Sequence, residues 1–223
     1  MKNATKVFVT TFGTIMALAG IEHGIGELLQ GNTVPEGIMI LSWPGSDFFR
    51  IQAGEPAMTI LPNLLITGIL AVFFSLIFLI WTTLFVQRKN SGLVMILLAI
   101  AMLLFGGGIF PPIFCVILGI LAARINSSFP WWRTHIPMKA RILLGKLWPI
   151  SFSVCVVTWL FMLAGINSLD YFLGIQDDNL MYALMISAFG FFFLTMLTGF
   201  ARDSMKVNPK SAYPRLVRGW QLW

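Results

Sequence analysis

Gly20-Ile21-Glu22-His23-Gly24-Ile25-Gly26-Glu27 holds two carboxylates and one of the two histidines in the chain. Imidazole changes charge near neutrality, so a histidine beside a carboxylate can pass a proton on. The same groups can ligate a metal, although two ligands from one segment need one or two more. Glu22, or Glu36, Asp47 and Glu55 further along, would have to supply them. The helical H-E-x-x-H spacing of zinc peptidases is absent, and E-H-x-x-x-E by itself assigns no metal. A third use is to hold a cationic or hydrogen-bonding ligand. The bland alternative is a His23–Glu27 bond that only holds helices together, worth about 1 kcal/mol, with Glu27 solvated at a span end.

Helical geometry sorts these groups. Taking Gly20 as zero and about 100° per residue, Glu27 falls near −20°, His23 near −60° and Glu22 near 200°. His23 and Glu27 therefore share the face carrying Gly13, Ala17, Gly20 and Gly24, while Glu22 turns toward another neighbour. Small residues at this spacing let a second helix approach closely.

The elements that carry the cluster belong to a membrane. Of 223 residues, 57% are apolar and 11% charged, and mean hydropathy is +0.84. Several runs exceed the ~20 residues that cross a ~30 Å hydrocarbon core. A soluble fold would expose too much of this surface. The net charge of +6 does not indicate nucleic acid, because the basic residues sit in short loops between apolar runs, where they act as orientation signals. Cys115 and Cys155 lie inside apolar runs and read as small buried hydrophobes. Lys2, Lys6 and Ala17-Leu18-Ala19 resemble a signal peptide, but the apolar run continues to Leu29, which predicts a retained first helix.

The predicted segments are residues 7–29, 63–86, 93–107, 110–123, 149–167 and 180–200, forming a single transmembrane domain. Residues 31–62 form an outer loop in which Trp43, Phe48 and Phe49 suit the bilayer interface. Gly106-Gly107-Gly108 and Pro111-Pro112 split residues 93–123 into two short arms, either two thin spans or a re-entrant hairpin. Charge favours an even number of crossings there, because that puts both flanking basic loops inside and leaves Arg50 as the only outer Lys or Arg. Both termini are then cytoplasmic. Residues 124–148 form a cytoplasmic connector whose end, before Pro149 opens the next span, is amphipathic. Residues 201–223 read as a basic tail lying on anionic lipid.

Weaker candidates complete the set. Arg50 is expected to tie the outer loop through Glu55, or to close over the site. Asn63 caps its helix or reaches the cluster. Asn167 and Ser168 read as a helix end, and His135 as surface. No P-loop, dinucleotide fingerprint, nucleophile elbow or haem-attachment motif occurs, and no cofactor or catalytic residue is assigned.

The expectation is an all-α membrane protein, a bundle of six segments with the middle two short. Its site, on the outer end of the first helix, would bind or pass a small polar or cationic solute or a proton, using His23, Glu27, Glu22, Arg50, Glu55 and Asn63. The alternative is a non-catalytic accessory subunit. A third reading is a membrane-embedded enzyme with His23 as base and Glu27 as its orienter. Expected partners are the lipid bilayer of a cell membrane and a second chain docked on the small-residue face, with no nucleic acid.

Overall fold

Hydrocarbon offers no partners to backbone N–H and C=O groups, so long apolar segments satisfy them internally as helices. A computed structural model describes residues 3–127 and 129–205. Its helices are α1 (Ala4–Leu29), α2 (Leu64–Ile80), α3 (Ser91–Leu104), α4 (Phe110–Ala122), α5 (Pro130–His135), α6 (Met138–Leu160), α7 (Ile166–Leu173) and α8 (Asp178–Ser204). One π-type turn, Trp81–Phe85, prolongs α2, and another, Phe161–Gly165, joins α6 to α7. Among the described residues four helical stretches are long and apolar enough to cross a membrane, while α3 and α4 are shorter apolar helices.

Helix starts are capped where the sequence supplies a short polar side chain. Asn3 accepts from the Lys6 N–H, Asn63 from Ile66 and Asp177 from Asn179 and Leu180. The first N–H groups of α1 have a further acceptor: Ala4 and Thr5 donate to the two carboxylate oxygens of Asp203, at 3.0 and 2.8 Å. The start of α1 is thereby tied to the end of α8.

The small-residue stripe works as close-packing geometry requires, but inside the chain. Gly13, Gly20 and Gly24 face Thr82, Ser75 and the Gly68–Ala71 turn, and a Cβ at any of the three would collide. The stripe expected to receive a second chain is therefore occupied by α2 and its π turn. An adjacent face of α1 packs Phe8 and Phe12 against Phe192 and Trp159, with Phe114 of α4 closing the aromatic core. Trp159 donates its indole N–H to the Ala188 carbonyl at 2.9 Å, which satisfies its one polar atom. Exposed Phe73, Ile80, Ile150, Val157 and Ile186 lie on the outside of the bundle, where a hydrocarbon solvent suits them.

Residues 31–62 are more ordered than expected. Strands β1 (Met39–Leu41) and β2 (Pro56–Met58) form an antiparallel ribbon with Ile40 opposite Ala57. The ribbon covers the tip of the α3–α4 hairpin: Gly106 N–H donates to Met58 O at 2.8 Å, Ile60 N–H to Leu104 O at 3.1 Å, and Thr59 bridges Phe105. At 14 and 13 residues the arms reach only about 20 Å. The ribbon supplies hydrogen-bond partners that a bare turn at that depth would lack.

Two boundaries move. Pro149 does not open a span but lies inside α6, which starts at Met138. The amphipathic lead-in and the span are one helix, because the proline removes only one backbone bond. Helix α8 runs on to Ser204, which takes the first residues of the expected tail, and residues 206–223 of that tail lie outside the described residues.

Gly24→Leu should destabilise the protein by about 1–3 kcal/mol, as overpacking of a tight contact does, because a Cβ there would stand 2.9 Å from Ala71 Cβ and 3.0 Å from Gly68 O. Gly190→Leu, with open space around it, should leave thermal unfolding in detergent unchanged. Equal midpoints for the two variants would contradict the packing described.

Candidate functional site

The cluster forms where the last turns of α1, the ribbon and the α3–α4 turn converge. Glu22, His23 and Glu27 project from α1, and Ser42 and Glu55 sit beside each other just outside the ribbon strands, with Ser42 N–H donating to Glu55 O at 3.0 Å. Gly26 permits this approach, since a Cβ there would strike the Ser42 carbonyl and the Trp43 indole. Gln30 holds the strand in place by donating to Leu41 O and Ser42 O. The turn feeding β2 is strained: Ala53, Gly54 and Glu55 all have positive φ. A non-glycine residue in that region is costly and gathers at functional sites.

The polar groups form a chain. Ser42 Oγ donates to Glu27 Oε1 at 3.3 Å and lies 2.8 Å from His23 Nδ1. His23 Nε2 lies 2.9 Å from Glu55 Oε2. Glu22 stands beside Glu55 and the Trp43 indole. The serine hydroxyl has one proton, so while it donates to Glu27, His23 must donate its Nδ1–H to the serine. His23 Nε2 then faces the carboxylates of Glu55 and Glu22.

The floor of the cluster is the triple glycine. A Cβ on Gly106 would run into both Glu27 oxygens, and one on Gly108 would stand 2.5 Å from His23 Nε2. Both glycines have positive φ, +87° and +82°, so turn shape and close approach ask for the same residue. Glu27 is fully buried, and His23 and Glu55 are buried with it. Glu27 Oε2 and Glu22 Oε1 have no hydrogen-bond partner. His23 pairs with Glu55, and Arg50 pairs with Asp170; among the described residues no lysine or arginine pairs with Glu22, Glu27 or Glu55.

The sequence candidates divide. Glu22, His23, Glu27 and Glu55 come together. His23 and Glu27 do not bond directly, because Ser42 from the ribbon inserts between them. Glu22 joins the group through Glu55, which lies beside it and pairs with His23. Arg50 does not pair with Glu55. It binds Asp170, with Nη2–Oδ1 at 2.7 Å and Nε–Oδ2 at 3.3 Å, and that hydrogen bonding raises the guanidinium above its ordinary pKa. Asn63 caps α2 and bonds Asn32, away from the cluster.

Asn167 is not a plain helix end: it is buried and donates to Gln52 at 2.6 Å. With Arg50–Asp170, and Phe48 against Tyr171, it latches the loop onto the α6–α7 stretch. Arg50 also lines a cavity of about 250 Å³ with Ile166, Gln176 and Asp178, which shares no residue with the His23 cluster. His135 is exposed and stacked on Trp131, as a surface residue would be.

No family model, curated protein or solved structure matches this chain.

Two measurements check the site. In His135→Gln, where His23 is the only histidine, nitrogen-15 spectra of metal-free protein at neutral pH should show a protonated Nδ1; a lone-pair signal there would reverse the hydrogen-bond direction assigned to Ser42. Arg50→Ala should speed amide exchange across residues 45–55 severalfold, because the loop loses a two-point ion pair to α7. Unchanged exchange would mean that the latch does not hold the loop.

Proposed function

We propose that the chain is a multi-pass protein of a cell membrane, with both termini cytoplasmic, and that it binds or passes a small cationic or polar solute, or a proton, at a site on the outer end of α1. The observation that carries this reading is the gathering of buried Glu27 and Glu55 and half-buried Glu22 around a single histidine without a lysine or arginine among the described residues. Buried carboxylates without a counter-charge cost several kcal/mol, and ionisable groups at membrane depth commonly mark solute or proton pathways. A bound cation or shared protons supply the compensation.

The orientation rests on charge. Arg88 and Lys89 in one loop, and Arg124, Arg133, Lys139, Arg141 and Lys146 in the connector, mark the cytoplasmic side and would face anionic lipid. The ribbon, with Ser42 and Glu55, then serves as an outer roof. A second reading, an accessory subunit whose polar residues only fix packing, is favoured by one fact: both ring nitrogens of His23 have partners within the chain.

Thermal unfolding separates the two. Chelator-stripped protein in lipid nanodiscs would be heated with alkali cations, organic ammonium ions, divalent cations or neutral polar solutes. At about 100 times its Kd a ligand adds ~2.7 kcal/mol, which for a chain of this size is roughly 5–10 °C. At least one of these classes should produce such a shift in the wild type and a much smaller one in Glu55→Gln. If none does in folded wild-type protein, the packing reading replaces this one.

A further inference from the structure

The cluster has a direction that a general cation site would not need. With Ser42 donating its one proton to Glu27, the Nδ1 contact to the serine takes the ring's Nδ1–H as donor. This leaves Nε2, whose partner within the chain is the Glu55 carboxylate, as the ligand atom of the ring. A carboxylate acting on the other ring nitrogen is the usual device that fixes the tautomer of a metal-binding histidine, and here it acts through a serine. Facing Nε2 are the carboxylates of Glu55 and Glu22, and the three ligand atoms lie within 4.8 Å of one another.

We infer that Glu22, His23 and Glu55 hold a divalent first-row metal ion, with Ser42 and Glu27 positioning His23. The inference rests on the reading of the cluster as a cation site and names its cation. Atoms sharing a metal at ~2.1 Å stand about 3–4 Å apart. The 2.9 Å between His23 Nε2 and Glu55 Oε2 is close to that, and rotation of a glutamate side chain brings in the third.

A further observation points to a ligand. Glu22 Oε1 is a buried oxygen without a hydrogen-bond partner, with the Glu55 carboxylate beside it. One nitrogen and two carboxylate oxygens suit zinc, manganese or iron(II) better than calcium, which takes oxygen ligands. Three protein ligands leave at least one coordination position for water or a solute, unlike a closed four-ligand structural site.

Full-length, chelator-stripped protein in zwitterionic nanodiscs would be titrated with Co²⁺, followed by visible absorption, and then with Zn²⁺ in competition. One Co²⁺ per chain should bind and be displaced by Zn²⁺. In the His135→Gln background, Zn²⁺ should shift the nitrogen-15 resonance of His23 Nε2 while Nδ1 keeps its proton. Glu22→Gln and Glu55→Gln should each weaken binding by at least about tenfold, and Ser42→Ala by about tenfold with the stoichiometry retained. His135→Gln alone should bind as the wild type does.

Absence of saturable Co²⁺ binding to folded wild type overturns the inference, as does binding that leaves the His23 resonance unmoved; neither depends on a glutamate variant folding. If metal fails while alkali or organic cations still stabilise the wild type, the metal assignment falls and the solute site stands. If nothing binds, both fall.

Discussion

The constraint on which the structure depends is that three carboxylates and an imidazole sit at the end of an apolar helix and must be enclosed by protein. Lipid cannot solvate them, so every neighbouring element comes close. Helix α2 reaches α1 along Gly13, Gly20 and Gly24, the ribbon lies down on Gly26, and the hairpin turn comes up beneath with Gly106 and Gly108. These glycines are spread over two segments far apart in sequence, yet they solve one problem. Gly26, Gly106 and Gly108 remove side chains that would hold backbone away from the polar groups, while Gly13, Gly20 and Gly24 let α2 and its π turn close on α1.

The short α3–α4 hairpin follows from the same enclosure. A turn made of glycines exposes backbone N–H and C=O groups that hydrocarbon cannot satisfy. Here residues 58–60 bond it from above, through Met58, Thr59 and Ile60, while Glu27 and His23 pack beside it. Two arms too short for a full hydrophobic thickness are enough, because their common end terminates in protein. The same strand thus caps the hairpin and continues from the residue, Glu55, that completes the cluster.

Much of the fold was legible because apolar runs of helical length have few alternatives in a membrane. The run from 7 to 29 became α1, and the breaker at Gly106–Gly108 did divide two short helices. The stripe on α1 was also legible as a close-packing face, although its partner was not: small residues specify that something approaches, not whether it belongs to the same chain. At the cluster, the helical wheel placed His23 and Glu27 on one side and Glu22 on another. It could not supply Ser42 or seat Glu55, since both arrive from a loop whose ribbon depends on long-range pairing. Arg50 was misassigned for a related reason. Glu55 is near it in sequence, but Asp170, 120 residues away, offers a two-point ion pair that keeps the loop over α7. Pro149 misled because one lost backbone bond does not end a helix that is otherwise well supported.

The remaining question is whether polar groups in this number would be kept for packing alone. A buried charged group that only joins elements can often be replaced by well-packed apolar side chains at no loss of stability. One Ser–Glu or Ser–His bond would be enough to set the register of the ribbon on α1. That role does not account for Glu22 and Glu55 side by side, for an unpartnered oxygen on each of Glu22 and Glu27, or for a positive φ held at Glu55. Each of these lowers stability when the site is considered as packing, and each acquires a purpose if a positively charged species occupies it. The arrangement is costly as architecture and economical as a site for a cation, which is the reason for preferring that reading to packing alone.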